Sequence, residues 1–308
     1  LPKSVSDYLS ETLFYYSTSY FFPELVNTFE YNESDTKVMR SFILFIGLGL
    51  ITVVVANAQI GPPGMGDTKV ASWFAFGVRQ ALDSANKIQS FSFVGVGRKS
   101  GPESNNPLKY QGIFVLNQEF YHKFHKHWHY SLAVSYRNQV DYVDEEPFGT
   151  TAPTHMQELR LYGRYMYQLQ IHKVKFVAAF RQEFRSFYDP EFQQEVDRYQ
   201  LRSRFRLQTA ITLDESKVHR LIASAEVLFA STQSTTPENH WSTFGYKESR
   251  FCFYYSFDPK NASFIYSIGY MNYLTGHTHA KSASYIAMDV IWENPFKAFK
   301  RERLKPIE

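Results

Sequence analysis

Charged residues recur at every second position inside long apolar segments, and this pattern restricts the possible folds of the chain more than any other feature. The stretch KFVAAFRQEFRSFY, residues 175–188, is the clearest case. One parity carries Phe176, Ala178, Phe180, Gln182, Phe184, Ser186 and Tyr188, while the other carries Lys175, Val177, Ala179, Arg181, Glu183, Arg185 and Phe187. RYQLRSRFRLQTAITL, residues 198–213, repeats the design, with Tyr199, Leu201, Phe205 and Leu207 set against Gln200, Arg202, Arg204, Arg206 and Gln208. In MQELRLYGRYMYQL, Glu158, Arg160, Tyr162 and Arg164 face away from Leu159, Leu161, Gly163, Tyr165, Tyr167 and Leu169. A strand projects successive side chains to opposite faces, so period two produces one apolar face and one charged face. Helical geometry would scatter the arginines of RSRFR around the axis and leave no apolar stripe.

Turn-forming stretches bound eleven such segments, at 69–81, 87–98, 110–121, 127–141, 155–169, 174–188, 197–213, 218–231, 243–257, 262–275 and 281–292. They exceed the usual globular strand of about 5 or 6 residues and suffice for the roughly 9 to 11 with which a tilted strand crosses a bilayer. Short connections such as Asp83-Ser84-Ala85-Asn86 and Asp258-Pro259-Lys260-Asn261 alternate with longer polar ones such as SGPESNNPL, VDEEPFGTTAP and STQSTTPENHWS. That asymmetry matches periplasmic turns and external loops. Lipid tolerates no open sheet edge, so a spanning sheet must close. The pattern therefore predicts an all-β fold, a closed antiparallel transmembrane β-barrel with a charged lumen. Bacterial single-chain barrels have even strand numbers, so eleven segments imply twelve strands, with ten as the alternative. The first strand would begin on the external side, which asks for a further strand that residues 59–68 can barely supply. A secreted soluble sandwich or barrel is the competing fold; it has no need of charges in the middle of so many strands.

Composition agrees. Phe 28, Tyr 22 and Trp 4 make 18% of the chain, more than a soluble core of this size requires. Trp128, Tyr130, Tyr142, Tyr165, Tyr167, Tyr188 and Trp292 fall near strand ends, where aromatic side chains anchor a barrel at the two interfaces.

MRSFILFIGLGLITVVVANA, residues 39–58, reads as a signal peptide: Met39-Arg40, an apolar core from Ser41 to Val55, and the small-x-small end Ala56-Asn57-Ala58. Gln59 would become the first mature residue. The chain opens on Leu1, and Met39 stands where a signal peptide should start, so residues 1–38 read as an upstream extension outside the native protein. An anchored helix and a genuine cytoplasmic extension are the alternatives. The expected organisation is therefore an extension over 1–38, a signal peptide over 39–58 and one outer-membrane barrel domain over 59–308. That domain holds 30 Lys or Arg against 24 Asp or Glu. Its basic residues are spread over many segments rather than gathered on one face, which argues against nucleic acid as a partner. The single cysteine, Cys252, cannot form an internal disulfide.

Parity assigns Arg79, Glu119, Arg137, Glu158, Arg160, Arg164, Arg181, Glu183, Arg185, Arg202, Arg204, Arg206, Glu226 and Arg250 to the lumen. Such a set can form a bidentate network that fills the interior and holds strand register. The arginine excess can alternatively attract phosphates or carboxylates into an anion-favouring passage. A membrane-embedded lipid-modifying enzyme needs a nucleophile oriented by histidine and an acid or amide, and the strands offer no convincing Ser–His pair. The fourth use is as a scaffold for a partner protein. His125, His127 and His129 share a parity beside His122, but no cysteine or carboxylate completes a metal set there; His277 and His279 make a weaker case. No phosphate loop or dinucleotide fingerprint appears, and neither a cofactor nor a metal is expected.

The segments ELRLYGR (158–164), FRQEFRSF (180–187), RYQLRSRFRLQ (198–208), AEVLF (225–229) and SRFCFYY (249–255) together resemble an outer-membrane β-barrel family of Bacteroidota known as domain of unknown function 2490. The family's order of an Arg-x-Glu/Arg-x-Arg strand, a strand of alternating arginines and a strand with one inward glutamate falls here on Arg181, Glu183 and Arg185, then Arg202, Arg204 and Arg206, then Glu226. The chain departs from it in a shorter loop near Thr275 to Lys281 and in continuing past the last strand as NPFKAFKRERLKPIE. The resemblance implies the barrel fold and a bacterial outer-membrane address; that address brings outer-membrane lipid and the barrel assembly machinery as expected partners, and the long aromatic strands offer a lateral surface for another outer-membrane protein. It implies no activity.

Overall fold

The computed structural model describes residues 60–296 apart from 67, 102, 144, 145, 147, 148 and 277–279. The expected extension and signal peptide lie outside these residues, as do His277, His279 and the tail beyond 296. Twelve strands follow one another: β1 (Val70–Ala81), β2 (Ile88–Lys99), β3 (Tyr110–Lys123), β4 (Trp128–Tyr142), β5 (Thr150–Ile171), β6 (Val174–Tyr188), β7 (Gln194–Thr212), β8 (His219–Ser234), β9 (His240–Trp241), β10 (Gly245–Phe257), β11 (Phe264–Thr275) and β12 (Lys281–Glu293). Strands β5, β7 and β8 run past their expected ends at the long-loop rim, so part of what reads as loop is strand.

Eleven of the twelve are staves of a closed barrel. The other, β9, is a two-residue piece of the loop after β8 and pairs with Gln233 and Ser234. Consecutive staves pair antiparallel, and β10 takes β8 as its neighbour past β9. The circle closes between β1 and β12, from Val70↔Ser284 to Arg79↔Glu293, and this seam is parallel. Here the structure departs from the wholly antiparallel closure expected of the sequence. An up-and-down meander with an odd number of staves brings its first and last strands together running the same way.

Parity sorts the side chains as the alternation requires. Leu132, Leu161 and Leu207 face outward at 60%, 57% and 67% exposure, whereas Glu183 is 0% exposed. An apolar exterior around a charged interior is the arrangement of a membrane-spanning barrel. Aromatic rings gather at both rims. Trp128 lies 5.2 Å from Tyr165 and 4.8 Å from Tyr167 at the short-turn end, and Tyr142 packs 4.6 Å from Tyr110 at the long-loop end.

The lumen has two unlike walls. On the side formed by β11, β12 and β1–β3, most inward residues are apolar or small, among them Ala71, Trp73, Ala75, Phe91, Ile113, Met271, Ala283, Tyr285, Ala287 and Ile291. Against this wall lies the segment from Ile60 to Gly66, inside the barrel, with Ile60 3% and Met65 0% exposed. Its backbone is held by wall side chains. Ile60 N–H donates to Asp289 Oδ2 (3.1 Å), Trp73 Nε1 donates to the Ile60 carbonyl (3.2 Å) and Met65 N–H donates to the Tyr285 hydroxyl (3.1 Å). Arg250 Nη1 reaches the Pro62 carbonyl (3.2 Å) and Lys99 Nζ the Met65 carbonyl (3.3 Å). At Gly66 φ is +72°, a conformation glycine adopts without steric cost, and there the chain turns from the lumen toward the rim where β1 begins. Residues 60–66 thus form a lumen strap, and among the described residues no lipid-facing strand precedes β1, which starts at the long-loop end.

Glycines in the wall make room for large rings. Tyr254 packs directly over Gly269, its ladder partner, and Trp73 covers Gly95. A Cβ at either glycine would fall inside contact distance of the ring. Gly269→Ala should therefore lower unfolding stability in lipid vesicles by about 1–3 kcal/mol, read from urea titration. An unchanged midpoint would show that the Tyr254 ring moves freely.

Candidate functional site in the lumen

The opposite wall, β4–β8 and β10, carries the charge. Its centre is Glu183, whose carboxylate is met by Arg160 Nη1 (3.1 Å), Arg181 Nε (2.8 Å) and Arg204 Nε (2.6 Å). From there the contacts extend both ways. Arg160 Nη2 is 2.6 Å from Glu158, which also accepts from Arg185 Nε at 2.7 Å. Arg204 Nη1 is 3.0 Å from Glu226, and Arg250 bridges Glu226, at 3.7 Å, to Glu248, with which it forms a closer pair. Arg202 reaches Glu248 at 3.8 Å and donates from Nε to Gln200 Oε1 at 3.1 Å. One continuous chain of guanidinium and carboxylate groups therefore crosses five adjacent staves.

Local sequence explains the pattern. On one strand, inward residues are spaced by two, so Arg181-x-Glu183-x-Arg185 stacks three charges along β6. The register then sets Arg160 opposite Arg185, Arg181 opposite Arg204 and Arg202 opposite Glu183. Like charges that are ladder neighbours are tolerable here because each guanidinium reaches a carboxylate one step along, Arg181 on its own strand and Arg160, Arg185 and Arg204 across to the next. Burying charges is costly even when they are paired, and removing one partner costs more than the pair itself contributes.

The other sequence-derived lumen residues take different positions. Arg164 is 3.5 Å from Glu119, which also accepts from Ser131 Oγ (2.5 Å) and the Tyr162 hydroxyl (2.9 Å). Arg79 stands apart from the chain, paired at 3.0 Å with Glu293 at the short-turn end of the seam. Among the described residues Arg137 and Arg206 have no carboxylate oxygen within 4 Å. Both border a cavity of about 110 Å³ between the strap's Pro62 and Pro63 and the charged wall.

Three participants escaped the sequence reading. Glu248 has the same parity as Arg250, two residues on, and that spacing is the signal that would have found it. Tyr162 lies on the assigned charged face, but its part could not be read from parity: its ring stacks 3.4 Å from the Arg181 guanidinium. Asp289, 0% exposed, is an acid among the apolar inward residues Ala283, Tyr285, Ala287 and Ile291 of β12 and holds the strap. The histidines bond to groups of the barrel itself. His122 meets the Tyr130 hydroxyl at 3.1 Å, and His127 meets the Gln168 carbonyl at 2.9 Å. Among the described residues no group of three or more His, Cys, Asp or Glu is placed to hold a metal ion.

Glu183→Gln should destabilise the barrel by about 3–5 kcal/mol, because three arginines lose their shared counter-charge inside the lumen. Glu103→Gln, which breaks a pair with Lys109 in an exposed loop, should leave the unfolding midpoint within error. Equal midpoint shifts for the two variants in urea titrations would show that the lumen pairs are as solvated as the loop pair.

No curated protein matches the chain. A family comparison matches residues 103–283, which reach from the loop before β3 into the start of β12. They include every stave that contributes to the charged chain. The matched span is more than half of the sequence, and the chain belongs to the family described as a protein of unknown function (DUF2490).

Proposed function

We propose that this protein is an outer-membrane barrel of structural or accessory role, exported by way of the signal peptide at 39–58, with a lumen that is filled rather than open. The observation that carries the reading is the strap: residues 60–66 lie inside the barrel and are tied by hydrogen bonds to Asp289, Tyr285, Trp73, Arg250 and Lys99. The guanidinium–carboxylate chain occupies the facing wall. A pore needs a continuous route lined by polar groups that an ion can use, and here strap and ion pairs stand in that route. The apolar exterior, the aromatic rims and the alternation of short turns with long loops support outer-membrane lipid as the surroundings, with the barrel assembly machinery acting in biogenesis. The broad apolar exterior also suits lateral contact with another outer-membrane protein, which is the accessory role in physical terms.

Planar-bilayer recording tests this reading. The inserted full chain should be silent, and deletion of residues 60–66 should produce steady conductance that favours anions, since the exposed wall is rich in arginine. Steady conductance of the intact chain would overturn the filled-lumen reading.

A further inference from the structure

The cavity between strap and charged wall is short of acceptors. Arg137 and Arg206 border it with no carboxylate within 4 Å, and arginine cannot shed its charge inside a protein. Other cavity-lining residues carry buried donor atoms without a hydrogen-bond partner, among them Asn117 Nδ2, Arg204 Nη2 and Arg250 Nε in addition to Arg137 Nε, while Arg204 and Arg250 are paired through their other nitrogens. All four are donors. The buried acceptors without a hydrogen-bond partner, such as Gln208 Oε1 and Asp289 Oδ1, belong to residues outside the cavity lining. Seven arginines line the space against two glutamates, Glu119 and Glu226, and both of these are already engaged.

We propose that the cavity is a binding site for one small free oxyanion, of the phosphate or carboxylate class, held by Arg137 and Arg206 together with the unpartnered donors beside them. A space of about 110 Å³ admits several waters and so one tetrahedral anion. Guanidinium groups recognise such oxygens with charge-assisted, often bidentate hydrogen bonds. The continuous ladders around the barrel leave no lateral entrance for a phospholipid with its chains, so the ligand is a free ion and not a lipid headgroup. This site goes beyond the filled-barrel reading: it requires no conductance and would survive the failure of that reading.

The test is calorimetric titration of the refolded full chain with inorganic phosphate, with a short-chain phosphatidylglycerol as the parallel titrant. Saturable phosphate binding at one site is expected, weakened at least about tenfold in the Arg137→Gln/Arg206→Gln variant. The same variant should fold as well as the parent in phosphate-free buffer, and phosphate should raise the unfolding midpoint of the parent alone. A purely structural role for the two arginines would instead lower the variant's midpoint in both buffers. Absence of saturable phosphate binding, or binding of the lipid in preference to phosphate, would overturn the proposal. Should the variant fail to fold, anomalous diffraction from parent crystals soaked in selenate decides: a selenium peak inside the cavity supports the site, and ordered waters alone refute it.

Discussion

Hydrocarbon gives a backbone no hydrogen-bond partner, so the sheet must close on itself, and closure by eleven staves sets the terms for the rest of this structure. An odd meander makes its first and last strands parallel, and so requires β1 to begin at the long-loop rim. The chain arrives there through the barrel as the strap. The wall along that path must then be apolar and small, as Gly77, Gly97, Gly112, Ala75 and Ala287 are. Ile60 packs beside Gly77, and the Met65 sulfur beside Gly97 and Gly112. The remaining staves, across the lumen from the wall on which the strap packs, fill their side with long charged side chains instead.

The two fillings follow different physics. Along the strap, apolar burial is combined with hydrogen bonds that satisfy backbone groups of a segment belonging to no sheet. Along the opposite wall, the enclosed guanidinium and carboxylate groups must compensate one another, because each left alone would be costly. Glu183 takes three arginines, so the charges on β5, β6 and β7 share one anchor. The pairs bind neighbouring staves in a particular register: a slip of one residue would turn Arg181, Glu183 and Arg185 toward lipid. Their contribution lies in specificity as much as in stability.

Much of the fold was legible because period two is a local property. Parity assigned Leu161 and Phe205 outward and Arg160 and Arg204 inward, and the expected strand centres match the staves from β1 to β12. What escaped depends on closure, which no local window contains. The parallel seam follows from a count taken around the whole barrel. The strap, Ile-Gly-Pro-Pro-Gly-Met-Gly, has no period and reads as a linker. Its trace was nonetheless present in the alanines and glycines that recur on the inward parity of β1, β2 and β12. The uneven division of charge between the two walls was visible in the same residues, whereas the isolation of Arg137 and Arg206 needed side-chain geometry.

Hydrogen exchange of the Ile60 and Met65 amides in the folded, lipid-inserted protein tests the filled lumen most directly. Both N–H groups donate to side chains of the barrel wall, to Asp289 and to Tyr285. The structure predicts protection comparable to that of the β1 and β12 ladders that surround them. Exchange at the rate of a free, solvated segment would contradict it and would leave the barrel with an open interior.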